Sequence, residues 1–210
     1  MAKKETVVGI QPVQIGRMEV PILGLTPLIC HRNTAKLPGD PDYDTRSKKD
    51  PRTPEERMHD ACYLAPGTNW EDQQFVFPGV GIKKALVSAG GRFSSYDMTY
   101  LRGVVSVDRE WLSIQSEEPP EKLSVPVRLT LTAMERRHRP IWRNWKMVLP
   151  IRFLANHISA NDVFNLIELA GLTIGIGDWR PESKNGTYGT FQIDRAIEAR
   201  IDDGKVQSPG

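Results

Sequence analysis

The sequence predicts an α+β fold, on three observations. Two stretches alternate apolar and polar residues with the period of half-buried strands: Val125, Val127, Leu129, Leu131 and Ala133, then Trp145, Met147, Leu149, Ile151 and Phe153. Directly after the second, Val163, Leu166, Ile167 and Ala170 recur at helical spacing behind a Ser159/Asp162 capping box. Finally, 16 prolines and 17 glycines among 210 residues require many turns and irregular connections.

The remaining elements follow in chain order. From Thr6 to His31, β-branched and apolar residues broken by Gly and Pro predict one or two strands. Residues 32–57 carry four prolines, dense mixed charge and almost no large aliphatic side chains, so they read as a surface insertion that cannot join a core. Within it, Ser47–Arg52 (SKKDPR) is a candidate thumb reaching a neighbouring subunit or strand. Thr53 as N-cap, Pro54 at the first helical position and Glu56 predict a short helix from Pro54 to about Leu64. Phe77–Phe93 reads as a turn opening a helix that buries Ile82, Leu86 and Ala89 and stops at Gly90-Gly91. Around Asp108 and Arg109 a turn separates two short strands, and Gly171 is placed to end the late helix. A last strand is expected over Tyr188–Ile193. The domain reading is a single unit over 1–210, with 32–57 an insertion and 194–210 a frayed tail.

Composition narrows the function classes. With 39% apolar and 26% charged residues the chain is globular, no run approaches 18 consecutive apolar residues, and its start lacks an apolar leader, so a soluble cytoplasmic protein with no membrane contact is expected. Cys30 and Cys62 have no partners at metal-ligand spacing. Asp40–Asp44 (DPDYD) starts like a calcium loop, but Thr45 and Pro51 occupy the positions of the required glycine and glutamate. No metal or cofactor is expected. A net charge of +2 does not by itself declare a nucleic-acid partner.

The stretch Gly175–Phe191 (GIGDWRPESKNGTYGTF) has the glycine density of a phosphate-binding loop, but it follows a helix instead of opening one. The dipole there repels phosphate and Asp178 adds negative charge, so the dinucleotide-fold and P-loop readings fail. The strands and two helices can instead supply the two β-α-β halves of a ferredoxin-like sheet. Two motifs then carry a resemblance. FVFPGVGIKKALVSAGGRF resembles the helix entry of the RAMP (repeat-associated mysterious protein) superfamily of class 1 CRISPR effector subunits, and LIELAGLTIGIGDWRPESKNGTYGTFQI resembles its closing glycine-rich loop. The Gly186-Thr187-Tyr188-Gly189 segment is stretched relative to that pattern. The chain is also similar to short phage-encoded RAMP-like proteins. The resemblance implies a ferredoxin-like, RRM-related sheet that holds single-stranded RNA, often with copies stacked side by side as an oligomer or filament.

Candidate binding residues fall into three groups. Arg136, Arg137, Arg139, Arg143 and Lys146, with His138 and no acid, form a basic hairpin end where Trp142 is expected exposed and base-stacking and Trp145 core. Lys83, Lys84 and Arg92 belong to the helix whose start, by the resemblance, faces a guide RNA. Gly175, Gly177 and Arg180 of the closing loop, and His31 and Arg32 at a strand end, complete the set, with Trp179 expected in the core. The resulting expectation is a non-catalytic binder of single-stranded RNA or DNA, with CRISPR effector proteins as possible partners. The competing readings are an endoribonuclease using His138 as general base, its pKa lowered by neighbouring cations, and a phage-encoded mimic that inhibits a host CRISPR complex by protein contact.

Overall fold

A computed structural model describes residues 12–32, 52–128, 134–183, 186–197 and 200–202. Most of the insertion, including Ser47–Pro51, and the expected strand positions Leu129, Leu131 and Ala133 lie outside them.

The elements run β1 (Ile15–Gly24), β2 (Leu28–Ile29), α1 (Pro54–Asp60), β3 (Val76–Pro78), α2 (Gly79–Phe93), α3 (Met98–Val104), β4 (Val105–Val107), β5 (Trp111–Ser113), β6 (Glu121–Arg128), β7 (Met134–Trp142), β8 (Lys146–Leu154), α4 (Ala160–Thr173), β9 (Phe191–Ile193) and β10 (Arg200–Asp202). This is a mixed α+β molecule with antiparallel sheets. The main sheet has the order β10-β1-β8-β4, with β9 also on β1; smaller sheets are β2-β7-β6 and β3-β5.

Alternation builds the core. In the long β1–β8 ladder Met18 lies opposite Ile151, Val20 opposite Leu149 and Ile22 opposite Met147. All six are at most 2% exposed, while the intervening Arg17, Val148 and Arg152 stay in solvent. The buried row meets Ile82, Leu86 and Ala89 of α2 and Val163, Leu166, Ile167 and Ala170 of α4 in one cluster. Each large aliphatic side chain sealed there contributes about 1.5–3 kcal/mol. Both helical stripes are those read from the sequence.

The helix starts match expectation and the helix ends do not. Thr53 and Glu56 form the reciprocal cap of α1, which stops at Asp60. Ser159 Oγ accepts from the Asp162 amide at the start of α4. Gly90 and Gly91, however, lie inside α2. A Cβ on Gly90 would sit 2.2 Å from Leu101 Cδ1, so this glycine serves close packing with α3, and the Ser94 hydroxyl on the Gly90 carbonyl at 2.6 Å closes the turn. Gly171 is likewise internal. The amides of Ile174 and Gly175 both reach the Ala170 carbonyl, at 3.0 and 2.9 Å, and Gly175 ends the helix with φ +67°.

The two short strands expected around Asp108 and Arg109 are β4 and β5; β4 joins β8 and β5 joins β3. Two further expectations are corrected. The tail expected to fray contributes β10, paired with β1 at Arg17–Glu19. The last strand is shorter than expected, starting at Phe191.

The largest correction concerns the basic segment. Arg136–Trp142 is not a hairpin end but most of β7, paired with β6 from Glu121↔Ile141 to Arg128↔Met134. Its burial rises along the strand until Arg139 through Trp142 are all buried.

Candidate nucleic-acid interface

The expected basic cluster is dispersed by the pleat. Successive side chains of a strand point to opposite faces, so Arg136 and His138 share one side of β7, and Arg137 and Arg139 the other. Arg137 pairs with Glu135 at 3.5 Å, and Arg143 makes a two-pronged pair with Glu121 at 3.1–3.3 Å. Trp142, expected to be exposed for stacking, is 1% exposed and meets Phe75 edge to face. Trp145 is equally buried, as expected, and its indole N–H donates to the Thr26 carbonyl at 2.9 Å. The His138 Nδ1 lies 2.8 Å from Ser124 Oγ on the paired strand. Its pKa is lowered as the sequence suggested, but burial is the larger cause, followed by Arg57, Lys122 and Arg136.

Arg139 is the most buried cation among the described residues. At 4% exposure it packs its guanidinium 5.1 Å from the Trp179 ring centroid, with Nε 3.3 Å from Asp178 Oδ2. That approach is close enough for ion pairing but misaligned for a hydrogen bond, and Nε and Nη1 have no hydrogen-bond partner among the described residues. Asp178 also faces His31 Nδ1 at 3.7 Å. Burial opposes ionisation of this carboxyl, yet the His31 contact and the charges of Arg139 and Arg180 outweigh it and hold its pKa below the ordinary value. Arg139 is thus a brace for the glycine loop, not a surface ligand.

The loop itself is stitched onto the β1–β2 connection. The Asp178 amide donates to the Ile29 carbonyl and the Gly189 amide to the Pro27 carbonyl, both at 2.8 Å. Gly177, φ +76°, and Gly189, φ +66°, approach neighbouring chain so closely that a Cβ would stand 2.3 Å from Ile29 O and 1.8 Å from Ile176 O. The close approach expected for a nucleotide is thus made by the protein's own main chain. Trp179 is not core: half-buried, with φ +55°, it lies between Arg139 and Tyr188.

Beside this loop α2 forms the wall of a cleft of about 690 Å³. Seven of the sequence candidates line it: His31, Lys83, Lys84, Arg92, Gly175, Gly177 and Arg180. Arg32, Arg136, Arg137, Arg139, Trp142 and Arg143 do not. Sequence reasoning missed Arg102 on α3 and Tyr63, which join the lining only through tertiary packing. Five Lys and Arg side chains face two carboxylates, Asp178 and Glu182, across the cleft. Glu182 ties the two walls together. It accepts from Ser88 at 2.6 Å and Arg92 at 3.0 Å on α2, and from Arg180 at 2.9 Å on its own loop. Burial works against its charge, but the Ser88 and arginine contacts prevail and its pKa falls.

Lys83 and Lys84 are not so neutralised. They lie within the first turns of α2, whose first turn carries no acid and whose N-cap, Pro78, makes no side-chain cap bond. As the fifth and sixth residues of the helix they lie just past the first turn, where the dipole's effect is largely spent. In the lining as a whole, five lysines and arginines stand against two carboxylates. Cys30 also lines it, with burial pushing the thiol pKa well up and keeping it inert as a nucleophile. Among the described residues no group of acids, His and Cys could hold a metal ion, and no helix is long and apolar enough to cross a membrane.

No protein-family model matches this chain, and no curated protein sequence matches it either. A solved structure does. A chain in the cryo-EM structure of the type III-B Cmr-β complex bound to cognate target RNA superposes with a TM-score of 0.54, at 10% identity, covering 90% of this chain and 61% of that one. The fold is a distant likeness of that chain. This chain spans about three fifths of its length, and at that identity the likeness concerns architecture alone.

Proposed function

We propose that this protein is a non-catalytic binder of single-stranded nucleic acid, RNA foremost, built as one RAMP-like unit and working side by side with copies of itself or with other subunits of a ribonucleoprotein. The cleft carries the reading: two lysines near the start of α2, whose first turn carries no acid, joined by Arg92, Arg102 and the closing loop. The architecture supports it. With α1, α3, β10 and the two small sheets left out, the succession β1, α2, β4, β8, α4, β9 with β9-β1-β8-β4 order fits a ferredoxin-like βαββαβ unit. The matched chain belongs to a complex whose target is RNA. His138, the candidate base of the nuclease reading, is not among the cleft-lining residues, which favours binding over cleavage.

The test is titration of labelled single-stranded RNA and DNA. Lys83→Glu with Lys84→Glu is expected to weaken binding by tenfold or more and to flatten its salt dependence, since each lost phosphate contact removes roughly 0.7 from the log–log slope. Arg136→Glu, on β7, should change affinity far less. Absence of binding to any strand by the wild type, with capture of a CRISPR subunit instead, would replace this reading by the protein-contact one. RNA cleavage that disappears in His138→Ala would replace it by the nuclease.

A further inference from the structure

At the rim of the cleft stands a pair of aromatic side chains that no sequence motif signals. In the β3–β5 pairing, Phe77 opposite Leu112 turns inward, at 6% and 2% exposure, so the next pair, Pro78 opposite Trp111, faces out. The Val76 amide donates to the Tyr63 carbonyl at 2.9 Å, which holds Tyr63 beside the same small sheet. The Tyr63 and Trp111 rings lie 5.8 Å apart at 39°, each half-buried with part of its surface in solvent. Tyr63 lines the cleft described above, and Trp111 lines a second cleft of about 430 Å³. The two clefts share Pro78, Val80 and Lys83, so they meet around the start of α2. Arg109 and Arg152 stand in the second one beside Asp108 and Glu110, Arg152 paired with Asp108 at 2.9 Å and Arg109 with Glu19 at 3.9 Å, and Val80, 73% exposed, is the apolar residue between the clefts.

We propose that Tyr63 and Trp111 form a base-stacking platform on a single-strand path that joins the two clefts, with Lys83 and Lys84 taking the phosphates beside it. This rests on the function proposed above and deepens it. Partly exposed aromatic rings beside lysines are what sequence-tolerant single-strand binding uses, because every base offers a π-face and every linkage a charge.

The experiment compares a mixed-sequence RNA oligonucleotide, its DNA counterpart and an abasic strand of the same length. Trp111→Ala and Tyr63→Ala are each expected to lower affinity for the base-bearing strands about tenfold, the size of one stacked base, while leaving abasic affinity unchanged. Trp111→Phe, which keeps a stacking face and the fold, should retain most of the affinity. Loss on RNA and DNA alike, or on RNA alone, supports the platform. Equal loss on base-bearing and abasic strands, or no loss, with wild-type binding intact, overturns the platform and leaves the cleft reading standing. A wild type that binds none of the strands removes both.

Discussion

The basic strand β7 and the cleft beside α2 make opposite use of their charge. On β7 the cations are dense along the chain, yet the pleat sends them to two faces, carboxylates hold Arg137 and Arg143, and Arg139 goes under the surface. Around the cleft the cations are sparse in sequence, spread over α2, α3 and the closing loop, yet they converge on one hollow. Linear charge density is therefore a poor guide to local potential. The number of elements that aim at one place matters more.

The comparison can be broken most sharply at Trp142. Replacing this fully buried residue with alanine is expected to cost about 4 kcal/mol of stability through the cavity left behind, read as a lower urea midpoint, whereas a stacking residue would have lost affinity with its stability unchanged. An intermediate effect is expected from acid. The folded pKa values of Asp178 and Glu182 lie below their unfolded ones, so their contribution is full at neutral pH and is lost as pH falls below the ordinary carboxylate range through those lowered values. Melting temperature followed from pH 7 downward should fall there. Glu182→Gln should shrink that fall, and a pH response identical to wild type would show that the bridge between the cleft walls holds nothing. The smallest effect belongs to Arg143→Gln. Its pair with Glu121 is exposed on both sides and screened by water, so the urea midpoint should stay within error of wild type, and binding should change no more than for surface changes on β7; a large loss of affinity would restore this segment as the interface.

Much of the fold was legible because periodicity reports burial directly. The stripes of α2 and α4 and the alternation of β8 needed no tertiary information, and the Thr53 and Ser159 caps are local chemistry. The ends of α2 and α4 misled because glycine marks both termination and close packing, and Gly90 and Gly171 serve the second. The strand β7 was hidden by its charge: Arg136 to Arg139 mask a period-two pattern that becomes apolar only at Ile141 and Trp142. For α3, only Asp97 signals the start, as its carboxylate accepts from the Thr99 and Tyr100 amides at 2.7 and 3.1 Å. Half of the cleft was legible, since the lysines of α2 and the glycine loop announce themselves. Tyr63, Arg102 and Trp111 do not, because what brings them to α2 is the packing of α3 and the β3–β5 pair against that helix.

One rim of the main sheet is occupied twice over. Along β1, β10 takes the hydrogen-bonding positions at Arg17–Glu19 and β9 those at Ile22–Gly24. No further strand can pair with β1 at those residues, so on this side the rim of the sheet is formed by β9 and β10, three residues each, and on the other by β4, three residues long as well. A sheet margined only by such short strands gives another chain little backbone to pair with.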